Sequence, residues 1–190
     1  TFALVALMHL QLARMRSRID EAGGLLLLEE QDRSLWDHDR IRVGLKWLAD
    51  SSEGDTFSRY HAEAGIAAEH CLAPSFQETR WDRIVECYEL LEQVAPSPIH
   101  QLNRAVAMAE WKGPVAGLDV LKGFDPLTWL AKSFQSSAVF ADLHRRCGNT
   151  EKAKCYRDKA INLAPSLPVK ELVMRRLEGG NEICIKGDVD

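Results

Sequence analysis

Histidine, cysteine and acidic residues lie close together in one part of the sequence, where they are candidates for binding a metal ion. His61, Glu63, His70 and Cys71 fall within one predicted helix. Two ligands on a helix must be three or four residues apart to project from the same face. His61 and His70 are nine residues apart, which places them on opposite faces, and the other four histidines are isolated. We therefore expect no metal site and no other cofactor.

No sequence motif of a known catalytic class accompanies these residues. The sequence contains no glycine-rich phosphate loop, no G-x-S-x-G nucleophile elbow and no carboxylate pair within a recognisable cleft motif. Acidic neighbours such as Glu29 and Glu30 are expected to face solvent or to support a helix. The sequence predicts a protein that is not an enzyme.

A short segment before the second predicted helix combines residue types that bind other proteins. Gln31, Asp32, Arg33 and Trp36 place an amide, a carboxylate, a guanidinium and an indole close together. Arginine forms bidentate pairs, and arginine and tryptophan are enriched among the residues that dominate binding energies. We therefore predict that these four residues bind a partner. The alternative is structural: the charged pair ties the segment to adjacent helices while the indole fills the core.

Helical periodicity dominates the elements that must position this segment. Apolar residues at intervals of three and four predict one helix over about 2–20, ended by the glycines at 23–24. The predicted buried stripe of this helix is Val5, Met8, Leu12, Met15 and Ile19. Asp37 is expected to cap a second helix, and a third helix is expected from about 55 to 73.

From about residue 79 the sequence repeats itself. Residues 87–97 are echoed by residues 155–166, and the tyrosines in the two segments are 68 positions apart, which is two units of 34. Gly113 and Gly148 are 35 apart and are expected to turn the chain between paired helices. A period of 34 with a helix-turn-helix layout is that of tetratricopeptide repeats.

Six helices are predicted in this repeat region. Their expected bounds are 80–95, 98–112, 115–122, 127–147, 150–164 and 167–178. Asn103 and Arg104 lie on the first helix of a repeat, which faces the concave side of such arrays, so both are predicted to bind a partner. The alternative for both is a structural hydrogen bond between paired helices.

These patterns together predict an all-α fold. We expect an N-terminal helical cluster over 1–78, a short tetratricopeptide-like α-solenoid over 79–178 and a loose tail over 179–190. No segment has the pattern of a β-strand.

Composition and charge restrict the classes of function. No apolar run approaches the roughly 18–20 residues that cross a bilayer. The net charge is −4, and residues 1–144 hold 14 Lys and Arg against 21 Asp and Glu, a balance unlike that of a DNA-binding domain. Five cysteines without a C-x-x-C pair predict buried thiols in a reducing compartment. We therefore expect a cytoplasmic protein without a membrane or direct nucleic-acid partner.

Residues 28–37, Leu-Glu-Glu-Gln-Asp-Arg-Ser-Leu-Trp-Asp, resemble a known motif. It belongs to the C-terminal extension of a subgroup of bacterial extracytoplasmic-function RNA polymerase sigma factors. In that extension a run of leucines and acids leads into Gln-Asp-Arg, a short spacer and Trp-Asp. Residues 4–8, 95–107 and 141–146 are similar to other blocks of the extension, so the resemblance covers about residues 3–178.

The resemblance implies a regulatory role in transcription initiation. Full-length members carry two further helical domains, which bind core RNA polymerase and read the −10 and −35 promoter elements. The extension is implied to contact those sigma domains or the polymerase in place of a separate anti-sigma factor, with promoter DNA met only through the missing domains. Thr1 lies inside a predicted helix without an initiator methionine, so we expect the chain to be part of a longer protein. The alternative is a helical-repeat scaffold that recruits another partner or senses a small ligand.

Overall fold

The fold is helical in the computed structural model, which describes residues 2–54, 56–124, 130 and 132–178. The helices are α1 (Phe2–Ala13), α2 (His38–Ser51), α3 (Arg59–Leu72), α4 (Trp81–Val94), α5 (Pro98–Lys112), α6 (Pro114–Val120), α7 (Phe134–Arg146), α8 (Thr150–Asn162) and α9 (Leu167–Glu178). Three 3₁₀ turns, Met15–Arg18, Leu28–Glu30 and Arg33–Leu35, separate α1 from α2. The described residues contain no β-strand, only an isolated bridge between Ile19 and Leu25. The predicted all-α class is confirmed, and the predicted tail lies outside the described residues.

Local signals set most helix ends where the sequence predicts them. The Asp37 carboxylate accepts a hydrogen bond from the Arg40 amide at 3.0 Å and so caps α2. A proline opens both α5 and α6, and the turns at Gly113 and Gly148 have φ angles of 93° and 75°. Within the helix predicted over 127–147, residues 127–129 and 131 lie outside the described residues. Helix α7 begins at Phe134, where the Ser133 hydroxyl accepts a hydrogen bond from the Ser136 amide and caps the helix.

The prediction for α1 is wrong in both length and face. The helix ends at Ala13, whose carbonyl accepts a hydrogen bond from the Asp37 amide at 3.0 Å. Its buried residues are Ala3, Ala6, Leu10 and Ala13, whereas none of the five predicted stripe residues is buried, four of them are exposed and Met8 is 55% exposed. The reason is a close approach: a Cβ added at Gly44 of α2 would lie only 2.8 Å from Leu10 Cγ. The missing side chain of Gly44 leaves space for Leu10, one of the buried residues of α1.

Two further residues of the predicted stripe also differ from the prediction: Ile19 is 52% exposed, and Val5 is half-buried. The glycines at 23–24 form a turn after the 3₁₀ segment rather than the end of a long helix, with Gly23 at a φ of 87°. The third helix also starts later than predicted, at Arg59. There the His61 ring accepts a hydrogen bond from the Ser58 amide at 3.1 Å and caps the helix start.

Helices that follow one another in sequence pack against one another. Contacts join α1 to α2 and α3, then α3 to α4, α4 to α5, α5 to α6, and α7 to α8 and α9. Ile66 of α3 packs against Ile84 and Val85 of α4, so apolar packing continues across the predicted boundary at 78/79. One contact joins distant parts of the sequence: Arg175 of α9 pairs with Glu30 at 2.9 Å and bonds the Leu25 carbonyl. This contact places α9 next to residues 28–37, which we call the motif segment.

Candidate functional sites

The two aspartates of the motif segment, Asp32 and Asp37, fix the local backbone. Asp32 accepts a hydrogen bond from the Ser34 amide at 2.8 Å and caps the following 3₁₀ turn. Hydrogen bonds with Ser34 lower the pKa of Asp32, and the backbone bond from Arg40 lowers that of Asp37. Both carboxylates are exposed, and both are occupied by backbone amides that begin a helical turn.

Arg33 ties the segment to the end of α3. Its Nη1 atom donates to the carbonyls of His70 and Ala73 at 2.7 and 2.8 Å. The last carbonyls of a helix lack partners within the helix and carry partial negative charge, so a guanidinium is well suited to this position. The Arg33 Cζ atom also lies 4.7 Å from the centroid of the Trp36 ring.

Trp36 is a core residue rather than a surface residue. Its side chain is 3% exposed and packs in a cluster with Leu10, Ala13, Ile41 and Ala67. For Arg33 and Trp36 the geometry therefore favours the structural alternative, because Arg33 binds the end of α3 and Trp36 fills the core. Gln31 is half-buried, and its Oε1 atom is enclosed without a hydrogen-bond partner in the described chain.

The structure adds Arg14, which the sequence reasoning missed. Arg14 is 8% exposed, and its Cζ atom lies 5.1 Å from the centroid of the Trp36 ring. Burial lowers the pKa of Arg14, and its charged neighbours Arg18 and Arg33 lower it further. In the sequence, an arginine near the end of an amphipathic helix is indistinguishable from one that faces water, so no local signal could have revealed it.

The energies around Arg14 do not balance within the described residues. Burying an ion costs several kcal/mol even after relaxation, whereas a cation–π contact returns about 0.5–2 kcal/mol. No hydrogen-bond acceptor for the Arg14 guanidinium is found among the described residues, and its Nε atom is buried without a partner. The nearby His70 ring cannot supply negative charge, and burial followed by repulsion from Arg14 and Arg33 lowers its pKa to about 3. The site is therefore cationic and poor in acceptors.

A cleft of about 620 Å³ lies between α3, α4, α5, α7, α9 and the first 3₁₀ turn of the motif segment. Its apolar lining includes Trp81, Ile84, Val106, Val139 and Val173. Its polar lining includes Glu29, Tyr88, Asn103, Gln135 and Arg176. Sites of 300–1,000 Å³ with a mostly apolar lining and a few polar groups are typical of small-molecule binding.

The two predicted residues of α5 have different surroundings. Asn103 is exposed and lines the cleft beside Tyr88, whose pKa is raised to about 12 by burial against the opposing effect of a hydrogen bond with Asn103. Arg104 is half-buried, and its Nε atom donates to Glu92 of α4 at 2.9 Å. Asn103 is therefore available to a ligand, whereas the contacts of Arg104 are those of the structural alternative.

One end of the cleft is built from ion pairs. Asp142 of α7 is 6% exposed and pairs with Arg145 at 2.8 Å, Arg146 at 3.7 Å and Arg176 at 3.8 Å. Arg146 also pairs with Glu110 and donates to the Ala109 carbonyl at 3.1 Å, which joins α7 to α5. These arginines have acidic partners, whereas Arg14 has none among the residues that the structure describes.

The described residues have neither the arrangement of a metal site nor a helix that could span a membrane. Across the described part of the chain, no group of three or more His, Cys, Asp or Glu side chains is arranged to hold a metal ion. No helix among those given above is both long and apolar enough to cross a bilayer.

The cysteines only partly match the expectation of buried thiols. Cys71 and Cys87 are half-buried, and burial raises the pKa of Cys71 to about 11. Cys155 is exposed, contrary to that expectation.

Comparison with known proteins gives two matches. Residues 1–52, which hold α1, the motif segment and α2, match a family of unknown function (DUF6596). The chain is also similar to an uncharacterized protein of Rhizobium meliloti (strain 1021), with 34% identity over 176 residues. That match covers 92% of this chain and 41% of the Rhizobium protein. No solved structure matches the chain.

Proposed function

We propose that this chain is a regulatory protein-interaction domain of an extracytoplasmic-function sigma factor. It modulates transcription initiation in the bacterial cytoplasm by contacting the sigma domains or RNA polymerase, and it performs no catalysis itself. The assignment to sigma factors rests on the motif of residues 28–37. The structure supports a role for this motif, because its residues bond to α1, cap α2 and bond to the end of α3.

An exposed apolar face on α1 supports a protein partner. Leu4, Met8 and Leu12 follow one another at intervals of four, and they are 37%, 55% and 43% exposed. Apolar residues four positions apart lie on one side of a helix, and a contiguous exposed apolar surface marks interaction sites in water-soluble domains. We call these three residues the α1 stripe. The stripe, rather than Arg33 or Trp36, is the surface that this proposal assigns to the partner.

We also propose that residues 79–178 form a tetratricopeptide-like array. The repeat of 34 residues, the turns at Gly113 and Gly148, and the packing of each helix on its neighbour all support this architecture. Small residues lie at the helix contacts, with Ala105, Ala141 and Ala160 all buried.

A pull-down tests the proposed partner. The 190-residue chain is offered to the polymerase-binding and promoter-reading domains of a sigma factor of this subgroup, with and without core polymerase. We expect retention of one of these components and at least tenfold weaker retention with Met8→Glu. Leu90→Glu on α4 is the matched control, because Leu90 is also an exposed apolar residue of a helix, at 42%. Absence of binding to both components, or equal losses with the two variants, would refute the proposal.

A second function is supported by the cleft. Its volume and lining fit a small ligand, so the chain is alternatively a ligand-sensing repeat domain. A metabolite panel screened by thermal denaturation tests this, since a ligand that binds the folded state raises the melting temperature. Asn103→Arg should abolish a response that depends on the cleft, whereas Asn162→Arg, at an exposed position of α8, should preserve it. A response that survives Asn103→Arg would exclude the cleft.

A further inference from the structure

Arg14 is a buried cation that lacks a counter-charge within the described residues. The groups that act on its charge are Cys71, Arg18 and Arg33, none of which is a carboxylate. The two aspartates of the motif, Asp32 and Asp37, accept hydrogen bonds from backbone amides at exposed positions. A structural role alone therefore leaves Arg14 without the pairing that buried arginines normally have.

Other polar atoms beside Arg14 also lack partners. Arg33 Nη2, Trp36 Nε1 and His70 Nδ1 are buried without a hydrogen bond in the described chain, as is Arg14 Nε. Arg14 and Arg33 both lie against the Trp36 indole, at 5.1 and 4.7 Å from its centroid. Three of the four atoms are N–H donors of two guanidiniums and an indole. Buried polar groups without partners are rare in native proteins, and several in one place indicate an absent ligand, ion or water.

We infer that Arg14, Arg33 and the Trp36 indole form a binding site for a carboxylate group. The positive charge that remains unpaired at the site favours a ligand group with a single negative charge. Arg33 already donates Nη1 to two carbonyls at the end of α3, whose partial negative charge offsets part of its own charge. The guanidinium of Arg14 remains to be neutralised, and its planar fork matches a carboxylate. The carboxylate belongs either to a free small acid or to an acidic side chain of a protein.

Acetate is the simplest probe of this site. Melting temperatures of the 190-residue chain are measured against sodium acetate, with sodium chloride and sodium phosphate as comparisons at equal ionic strength. We expect acetate to raise the melting temperature saturably. The affinity for acetate should fall at least tenfold in Arg14→Met, and Arg42→Met should behave as the wild type, because Arg42 is an exposed helix residue. Without acetate, Arg14→Met should melt at or above the wild-type temperature, since it removes an unpaired buried charge.

Several results would overturn the inference. They are a lack of response to acetate, an equal response in Arg14→Met, a response to phosphate but not acetate, and a marked loss of stability of Arg14→Met without acetate. A measurement on the wild type alone covers the case in which Arg14→Met does not fold. In ¹⁵N-labelled protein, acetate should shift the indole N–H signal of Trp36 and the Nε–H signal of Arg14. Unchanged signals would contradict the inference.

A blocked tripeptide distinguishes the two sources of the carboxylate. N-acetyl-Gly-Asp-Gly-amide carries one side-chain carboxylate and no free terminus. Binding at least tenfold tighter than acetate, and lost in Arg14→Met, would assign the site to an acidic side chain of a protein. Binding equal to or weaker than that of acetate would assign it to a free small acid. The inference does not depend on the sigma-factor proposal, because it is measured on the chain alone.

Discussion

The partly or fully buried arginines of the two halves of the molecule differ in their partners. In the repeat region, Arg104 binds Glu92, Arg145 binds Asp142, and Arg146 binds Glu110. Around the motif segment, Arg33 binds only backbone carbonyls, and Arg14 has no acceptor within the described residues. Both halves are helical and both use small residues at helix contacts. The difference therefore lies in how buried charge is neutralised.

This difference separates a structural role from a binding role. A guanidinium paired with a carboxylate on the next helix fixes the spacing of the two helices and has little charge left for a ligand. A guanidinium that contacts an indole and has no anionic partner can pair with the negative charge of a ligand. The repeat region thus supplies a rigid frame, and the motif region supplies the cationic site.

The largest effect is expected from removing the indole that both arginines contact. Trp36→Ala should destabilise the protein by about 3–5 kcal/mol, because it leaves a cavity in the core and removes the ring beneath two cations. Urea denaturation measures the change. Trp111→Ala is the control, since Trp111 is 45% exposed, and should cost less than about 1 kcal/mol. Similar losses in both variants would remove the distinction between a central and a peripheral tryptophan.

In the repeat region, Asp142→Asn should have the next largest effect. The substitution removes the negative charge that three arginines share and should cost about 2 kcal/mol, a value reduced because the arginines remain partly exposed. Asp119→Asn breaks an exposed pair with Lys122 and should be nearly neutral. If Asp142→Asn is equally neutral, the ion pairs of Asp142 do not hold α7 and α9 together.

The buried imidazole of His70 predicts a pH dependence in the motif region. Burial and the two neighbouring guanidiniums lower its pKa from 6.5 to about 3, so the folded protein holds this ring neutral. Below pH 6.5 the unfolded chain binds a proton that the folded chain does not. Stability should therefore fall by up to about 1.4 kcal/mol per pH unit as the pH decreases from 6.5 toward 3.

Urea denaturation at pH 7, 6 and 5 tests this prediction. His70→Asn should show a smaller loss of stability on acidification than the wild type. His38→Asn, at an exposed position of α2, should lose stability as the wild type does. Parallel pH profiles for His70→Asn and the wild type would show that His70 is not the source of the dependence.

The smallest effect is expected where the two halves meet. Arg175 and Glu30 form an ion pair with arginine and glutamate side chains 44% and 29% exposed, so Arg175→Met should cost no more than about 1 kcal/mol. Hydrogen exchange should nevertheless become faster in residues 25–30, because the guanidinium also bonds the Leu25 carbonyl. Lys170→Met, at an exposed position of the same helix, is the control.

Helix positions were predictable wherever the signal is local. The α5 bounds of 98–112 match the prediction because a proline opens the helix and a glycine follows it. The Asp37 cap of α2 is local in the same way. The buried face of α1 was not predictable, because it depends on the approach of another helix, α2, where Gly44 leaves space for the Leu10 side chain.

The candidate site residues show the same distinction between local signals and contacts made only in the folded chain. Asn103 lines the cleft, and its predicted role in binding a partner stays a prediction. Arg33 and Trp36 were identified by residue type, but their burial depends on α1 and α3 and could not be read from the segment itself. Arg14 was missed because only the folded chain brings it to Trp36. Residue type alone therefore identified the region but did not distinguish binding residues from those that support them.

Hydrogen exchange of the 190-residue chain, alone and with the sigma-factor domains, tests the proposed interaction most directly. The proposal predicts slower exchange in α1 around Leu4, Met8 and Leu12 when the sigma domains are bound, with α8 unchanged. The same experiment with Met8→Glu should show no such protection. Unchanged exchange in α1, or protection that persists in Met8→Glu, would contradict the proposal that this exposed apolar helix face binds the transcription machinery.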